Sequence, residues 1–227
     1  DAIDMLKIAA SSENKKLNEF PSIYYHLGYY LDKNNDKASA ENYFKKASSL
    51  AIDYCFPYGM ESAAALNAAL KNNPKDDKAH YYMGNIYAEF IPEKAVDNLT
   101  KAIELNPKVA IYHRNLSYIQ ANVFDKIDDA LMHIRKAMEL NPGDPLYLVE
   151  ADDYEAYKGA PAPTRLEAFV KNINTVNKAD ASIIRMMILQ IATGKYDEAL
   201  KIMNEHHFHA FEKFDGNIHC QWVDAHV

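Results

Sequence analysis

Apolar residues recur along the chain at intervals of three and four, and no stretch alternates apolar with polar over strand length. That period marks helices that each bury one stripe. It predicts helices over roughly 2–12, 20–32, 37–51, 58–72, 77–89, 93–105, 109–122, 126–140, 145–158, 163–177, 180–193, 196–206 and 217–227. The seven glycines and nine prolines fall between these segments as punctuation. Helices of this length joined by short links suit a stack of antiparallel hairpins, so the chain is expected to be all-α.

The pattern also repeats. KAIELNP ends at Pro107 and KAMELNP at Pro142, 35 residues apart, and NAALKNNP ends at Pro74, 33 before Pro107. Five residues before each proline stands an alanine: Ala69, Ala102 and Ala137. Leu66, Leu99 and Ile134 lie three residues earlier, with Ser62, Ala95 and Ala130 four before those. Small residues on such a ladder let two helices approach closely, and a proline after the helix cannot continue its hydrogen-bond ladder.

The ladder resembles the second helix of the tetratricopeptide repeat, with a period of about 34 residues and the pattern W-x2-L-G-x2-Y…A-x3-F…P. Leu27-Gly28 precedes Ala40-x3-Phe44 and Ala47; Met83-Gly84-x2-Tyr87 leads into Ala95; Leu116-Ser117 precedes Ala130. Gly194, Tyr196, Ala199 and Met203 keep the same offsets. The resemblance covers most of residues 1–206 and implies a right-handed α-α superhelix of antiparallel helix hairpins, best seen in repeats 21–54, 77–108 and 109–143. Residues 207–227 are then a loop and a terminal capping helix. One seam, near 51–58, breaks the alternation, because 37–51 and 58–72 both carry the second-helix signature. Either 58–72 takes a first-helix role or an irregular piece around LAIDYCFP fills the slot. Residues 160–177 also match poorly.

In that family the first helices line a concave binding face. With Gly28 and Gly84 at repeat position 8, the face is expected to present Tyr25, Tyr29, Tyr81, Asn85, Arg114 and Tyr118. Tyrosines are large, rigid and amphipathic, and suit a peptide or a sugar ring. The family's best-known use is a basic, asparagine-containing clamp for a terminal carboxylate. Asn85 and Asn115 occupy clamp positions, but Tyr81 stands where the lysine is required, which disfavours a chaperone-tail receptor.

Charge and composition narrow the rest. A net charge of −7 and a pI near 5.7 disfavour nucleic acid as a partner. No apolar stretch is long enough to span a bilayer. The opening DAIDMLKIAA reads as the middle of an amphipathic helix, so a longer parent protein is expected, and its localisation is open. The two cysteines, Cys55 and Cys220, cannot make a disulfide framework. P-loop, GxSxG and other Gly-rich loop signatures of enzymes are missing, and the clustered carboxylates of DKIDD read as a solvated face. No cofactor is expected.

The histidine-rich tail HHFHAFEKFDGNIHCQWVDAHV has neither zinc-finger nor HExxH spacing, and no metal is expected there. It resembles a segment of large bacterial proteins of unknown function, which carry a galactose-mutarotase-like, sugar-associated region followed by tetratricopeptide repeats. That family has FH-x-W-E-G-G-E-G and then a helix with Y-x-x-AH. Phe208, His209, Glu212, Gly216, Ala225 and His226 match directly; Phe211, Asp215 and Trp222 stand for the Trp, the last Glu and the Tyr. Lys213-Phe214 replaces the glycine pair. The aromatic residues are expected to cap the open end of the solenoid. The chain thus reads as a non-catalytic scaffold binding a protein or peptide segment, or the missing N-terminal region of its parent. The alternative is an accessory region of a carbohydrate-active bacterial enzyme that contacts a glycan.

Overall fold

The structure, a computed structural model, describes residues 2–53 and 55–208. Every regular element among them is a helix. The chain divides between Ile119 and Gln120 into two compact units. The first holds α1 (Ala2–Ala10), α2 (Lys15–Asn18), α3 (Pro21–Lys33), α4 (Lys37–Ser49), α5 (Gly59–Asn72), α6 (Asp77–Tyr87), α7 (Pro92–Leu105) and most of α8 (Ala110–Asn122). The second holds α9 (Ile127–Leu140), α10 (Pro145–Tyr157), α11 (Ala162–Lys171), α12 (Ile173–Val176), α13 (Asp180–Ala192) and α14 (Tyr196–Glu205).

The expected ladder is the buried stripe. Ser62, Leu66 and Ala69 are buried on α5; Ala95, Leu99 and Ala102 on α7; Ala130, Ile134 and Ala137 on α9. Each helix ends in the same way. The N–H groups of Asn73, Asn106 and Asn141 donate to the carbonyls of Ala69, Ala102 and Ala137 at 2.7, 2.9 and 2.9 Å, and the proline that follows stops the helix. The proline carbonyl then takes a side-chain partner: His80 Nε2 lies 3.2 Å from that of Pro74, His113 Nε2 3.1 Å from that of Pro107, and Thr175 Oγ1 3.0 Å from that of Pro142. At the other ends Asp36, Asp76 and Asp144 cap α4, α6 and α10 by accepting backbone N–H groups of Ser39, Ala79 and Leu146.

Glycine sets the closeness of two hairpins. A Cβ on Gly28 would stand 2.4 Å from the Phe44 ring, and one on Gly84 would stand 2.7 Å from Leu99 Cγ. These are the pairs α3–α4 and α6–α7, which pack most extensively.

At the seam, α5 packs on α3 and on α6, the two first helices, and much less on its sequence neighbour α4. A helix with second-helix residues therefore lies against the two first helices α3 and α6, and α4, the second helix before it in the chain, is the one it avoids. Residues 50–53 and 55–58 carry no helix, and Cys55 (1% exposed) is buried from this segment. The buried Tyr82 hydroxyl lies beside the Cys55 thiol, whose pKa burial pushes up. The predicted helix 163–177 is instead α11 and α12, broken at Asn172. The Asn172 side chain donates to the Ala168 carbonyl at 2.8 Å, and the Asn172 N–H reaches the same carbonyl at 3.2 Å. The predicted helix 217–227 lies outside the described residues.

In the second unit Leu148, Phe169, Val176, Ile183, Met187 and Leu189 form one buried core, with Phe208 packed at its edge.

Candidate functional site

Four of the six expected concave-face residues come together in the first unit, on α6 and α8. Tyr81 is 5% exposed and stacks on Tyr112, with ring centroids 4.8 Å apart and planes within 29°. Asn115 Nδ2 lies 3.5 Å from the Tyr81 hydroxyl and donates to Asn85 Oδ1 at 2.9 Å, so two carboxamides meet across α6 and α8. Arg114 Nη1 donates to Asn115 Oδ1 at 3.2 Å. The Arg114 guanidinium also lies 5.4 Å from the Tyr118 ring centre, and Tyr118 is 49% exposed. The result is a polar cluster with an exposed aromatic edge. A carboxamide offers the donor and acceptor of a peptide group, so the Asn85–Asn115 pair is chemically matched to main-chain amides.

Tyr81 and Tyr25 depart from the expectation that they form surface. Both are core. Their rings fill the gap between successive first helices, where a large flat side chain buries most area. Burial, the chief cause, raises the Tyr81 pKa against the opposing bonds of Asn85 and Asn115, so its hydroxyl stays neutral and supports the cluster from beneath. Tyr25 is 1% exposed, and its hydroxyl reaches both Asp76 oxygens at 3.1 and 3.0 Å. Burial first, then the Asp76 charge, pushes its pKa well up. Tyr29, half-buried, leans on Tyr30 at 5.3 Å, with the Lys33 ammonium 5.5 Å from its ring.

Asp76 and Asp77 were not singled out by sequence. Asp76 is 3% exposed; desolvation raises its pKa although the Ala79 N–H and Tyr25 hydroxyl oppose this. Asp77 accepts from the Tyr112 hydroxyl at 3.0 Å and from Asn106 Nδ2 at 3.1 Å. Their tyrosine partners lie 51 and 35 residues away, which no local pattern discloses.

The second unit holds another unexpected cluster. Asp152, with its side chain 3% exposed, accepts Arg165 Nε and Nη2 at 2.8 and 2.6 Å and Arg185 Nη1 at 2.8 Å. The available signal was an aspartate four residues after the buried Leu148, on the apolar stripe of α10.

Of the tail signature only Phe208 is described. It meets His206 edge to face at 4.5 Å, while His206 Nε2 lies 3.0 Å from Asp180 Oδ1. His209, Phe211, Glu212, Asp215, Gly216, Trp222 and His226 lie outside the described residues. Among the described residues no three His, Cys, Asp or Glu side chains are placed to hold a metal ion, and no helix is long and apolar enough to cross a membrane.

Residues 21–51 match the tetratricopeptide repeat family. Solved structures extend the likeness. The MamA protein superposes with a TM-score of 0.53 at 19% identity, over 82% of this chain and 90% of that one. YrrB, described as a TPR protein with an unusual peptide-binding site, gives 0.53 at 19%, over 90% and 95%. The fold is the tetratricopeptide solenoid. PilF of Pseudomonas aeruginosa shares it, with a TM-score of 0.52 at 18% identity over 82% of this chain and 89% of its own. The solenoid explains why α6 and α8, both first helices, bring Asn85 and Asn115 side by side although 30 residues separate them.

Proposed function

We propose that this solenoid is a non-catalytic scaffold that takes up an extended protein segment on the α6–α8 face of its first unit. One observation carries the reading: the carboxamides of Asn85 and Asn115 meet at 2.9 Å beside the exposed Tyr118, so amide-recognising groups and an aromatic contact share one surface. Tyr81 and Tyr112 hold the pair from below. The description of YrrB as peptide-binding is consistent with this use of the fold. Asn85 and Asn115 would bond the main chain of the guest, while Tyr118, with Arg114 against its ring, would pack on a side chain.

A random peptide library selected on the intact chain tests the reading, with a glycan array as its counterpart. Selected peptides should lose about tenfold or more in affinity against an Asn85→Ala/Asn115→Ala variant whose circular dichroism is unchanged, the equivalent of one to two hydrogen bonds. Peptides that bind the variant as well as the parent would place the site elsewhere. Glycan binding in the absence of peptide binding would favour the carbohydrate-associated reading of the tail.

A further inference from the structure

A recess of about 470 Å³ lies in the second unit between α9 and α11, above α10. Leu148 and Phe169, 3% and 0% exposed, form its floor with Met138. α11 turns Thr164 and Ala168 toward it, side chains too short to reach α9, and so the space stays open. A second recess of about 380 Å³ shares Arg135, Met138 and Leu148 with the first, which makes the apolar space elongated.

Arg165 stands on the rim with its side chain 17% exposed. Two of its nitrogens are committed to the two oxygens of Asp152, which fixes the plane of the guanidinium. Its Nη1 has no partner among the described residues. Asp152 is shared with Arg185, so one buried carboxylate faces two cations. Asp153, half exposed, bonds Arg185. Arg135 also lines the rim and pairs with Glu155, but its side chain is 62% exposed, and a pair this open to water is weak enough to exchange for a new partner.

We propose that this recess binds a small organic acid: a medium-chain aliphatic body lies along the apolar floor, and the carboxylate takes the uncommitted N–H groups of Arg165 with help from Arg135. The volume is that of a small-molecule pocket, and a guanidinium held in place by a buried carboxylate loses no freedom when an anion arrives. This site is separate from the α6–α8 face and does not rest on the reading of that face.

Decanoate is the probe, and decan-1-ol its uncharged counterpart, each titrated into the whole chain with methyl-labelled methionine. Decanoate is expected to shift the Met138 methyl resonance saturably, with decan-1-ol weaker by about tenfold or more, because charge-assisted bonds are the stronger kind. Ala168→Leu, which fills the recess from an exposed position, should abolish decanoate binding without lowering the thermal midpoint. Arg165→Gln should weaken decanoate by about tenfold and leave decan-1-ol unchanged. If that variant fails to fold, the alcohol and Ala168→Leu arms still decide. No saturable shift at Met138, equal affinity for the alcohol, or unimpaired binding by Ala168→Leu would each overturn the proposal. So would displacement of decanoate by a peptide with an apolar C-terminal residue that binds far more tightly, since the recess would then be a protein-docking site.

Discussion

Asp76 does two tasks with one carboxylate: it caps α6 and anchors Tyr25 of α3, and it is 3% exposed while doing so. Because desolvation raises its pKa, the folded chain keeps a proton that the unfolded chain gives up. Its stabilising contribution is fully present below the unfolded value of 3.8 and is lost as pH rises through the folded one. Asp76→Asn keeps an oxygen for both bonds and removes the titration. Urea midpoints at pH 4 and pH 7 should therefore show the variant gaining on the parent at the higher pH; a constant difference would mean that Asp76 titrates normally. Gly84 makes a steric argument at the same scale. Alanine there gains helix propensity but drives a Cβ to 2.7 Å from Leu99. Overpacking outweighs the gain, and Gly84→Ala should cost about 1–3 kcal/mol in denaturant unfolding.

Elements were legible in the sequence where one stripe of residues both forms the helix and buries it. The stripes of α7 and α9 are such cases, and their ends follow from Asn-Pro pairs that stop the ladder. The break at Asn172 was not legible, because neither glycine nor proline marks it. Nor could the packing partners of α5 be read: its stripe is that of a second helix, yet it follows the second helix α4 and packs on α3 and α6 instead. Charged groups between elements are the other hidden layer. Asp152 of α10 ties α11 and α13 through Arg165 and Arg185. Asp152→Ala strands two partly buried guanidinium groups. It should destabilise the second unit by about 3 kcal/mol, near the low end for breaking a buried pair, seen as an earlier loss of hydrogen-exchange protection in α11 and α13.

For the whole molecule, the repeat period was enough to announce an all-helical solenoid of the tetratricopeptide kind. The candidate site was half legible. Asn85, Arg114 and Tyr118 come together on α6 and α8, but Tyr25 and Tyr81 are buried, since register gives an angle around a helix and not the depth of the neighbour it meets. By itself the sequence determined what is periodic: helix type, the buried alanine ladder and the turns, all of which depend on residues within about one repeat of each other. Only the tertiary structure decided what joins distant residues: the Asn85–Asn115 contact, the Tyr25–Asp76 bond and the arginines that share Asp152. The reason is physical. A helix forms from local hydrogen bonds and a stripe of apolar side chains, whereas a polar contact between repeats depends on how closely the hairpins pack, which no one segment specifies.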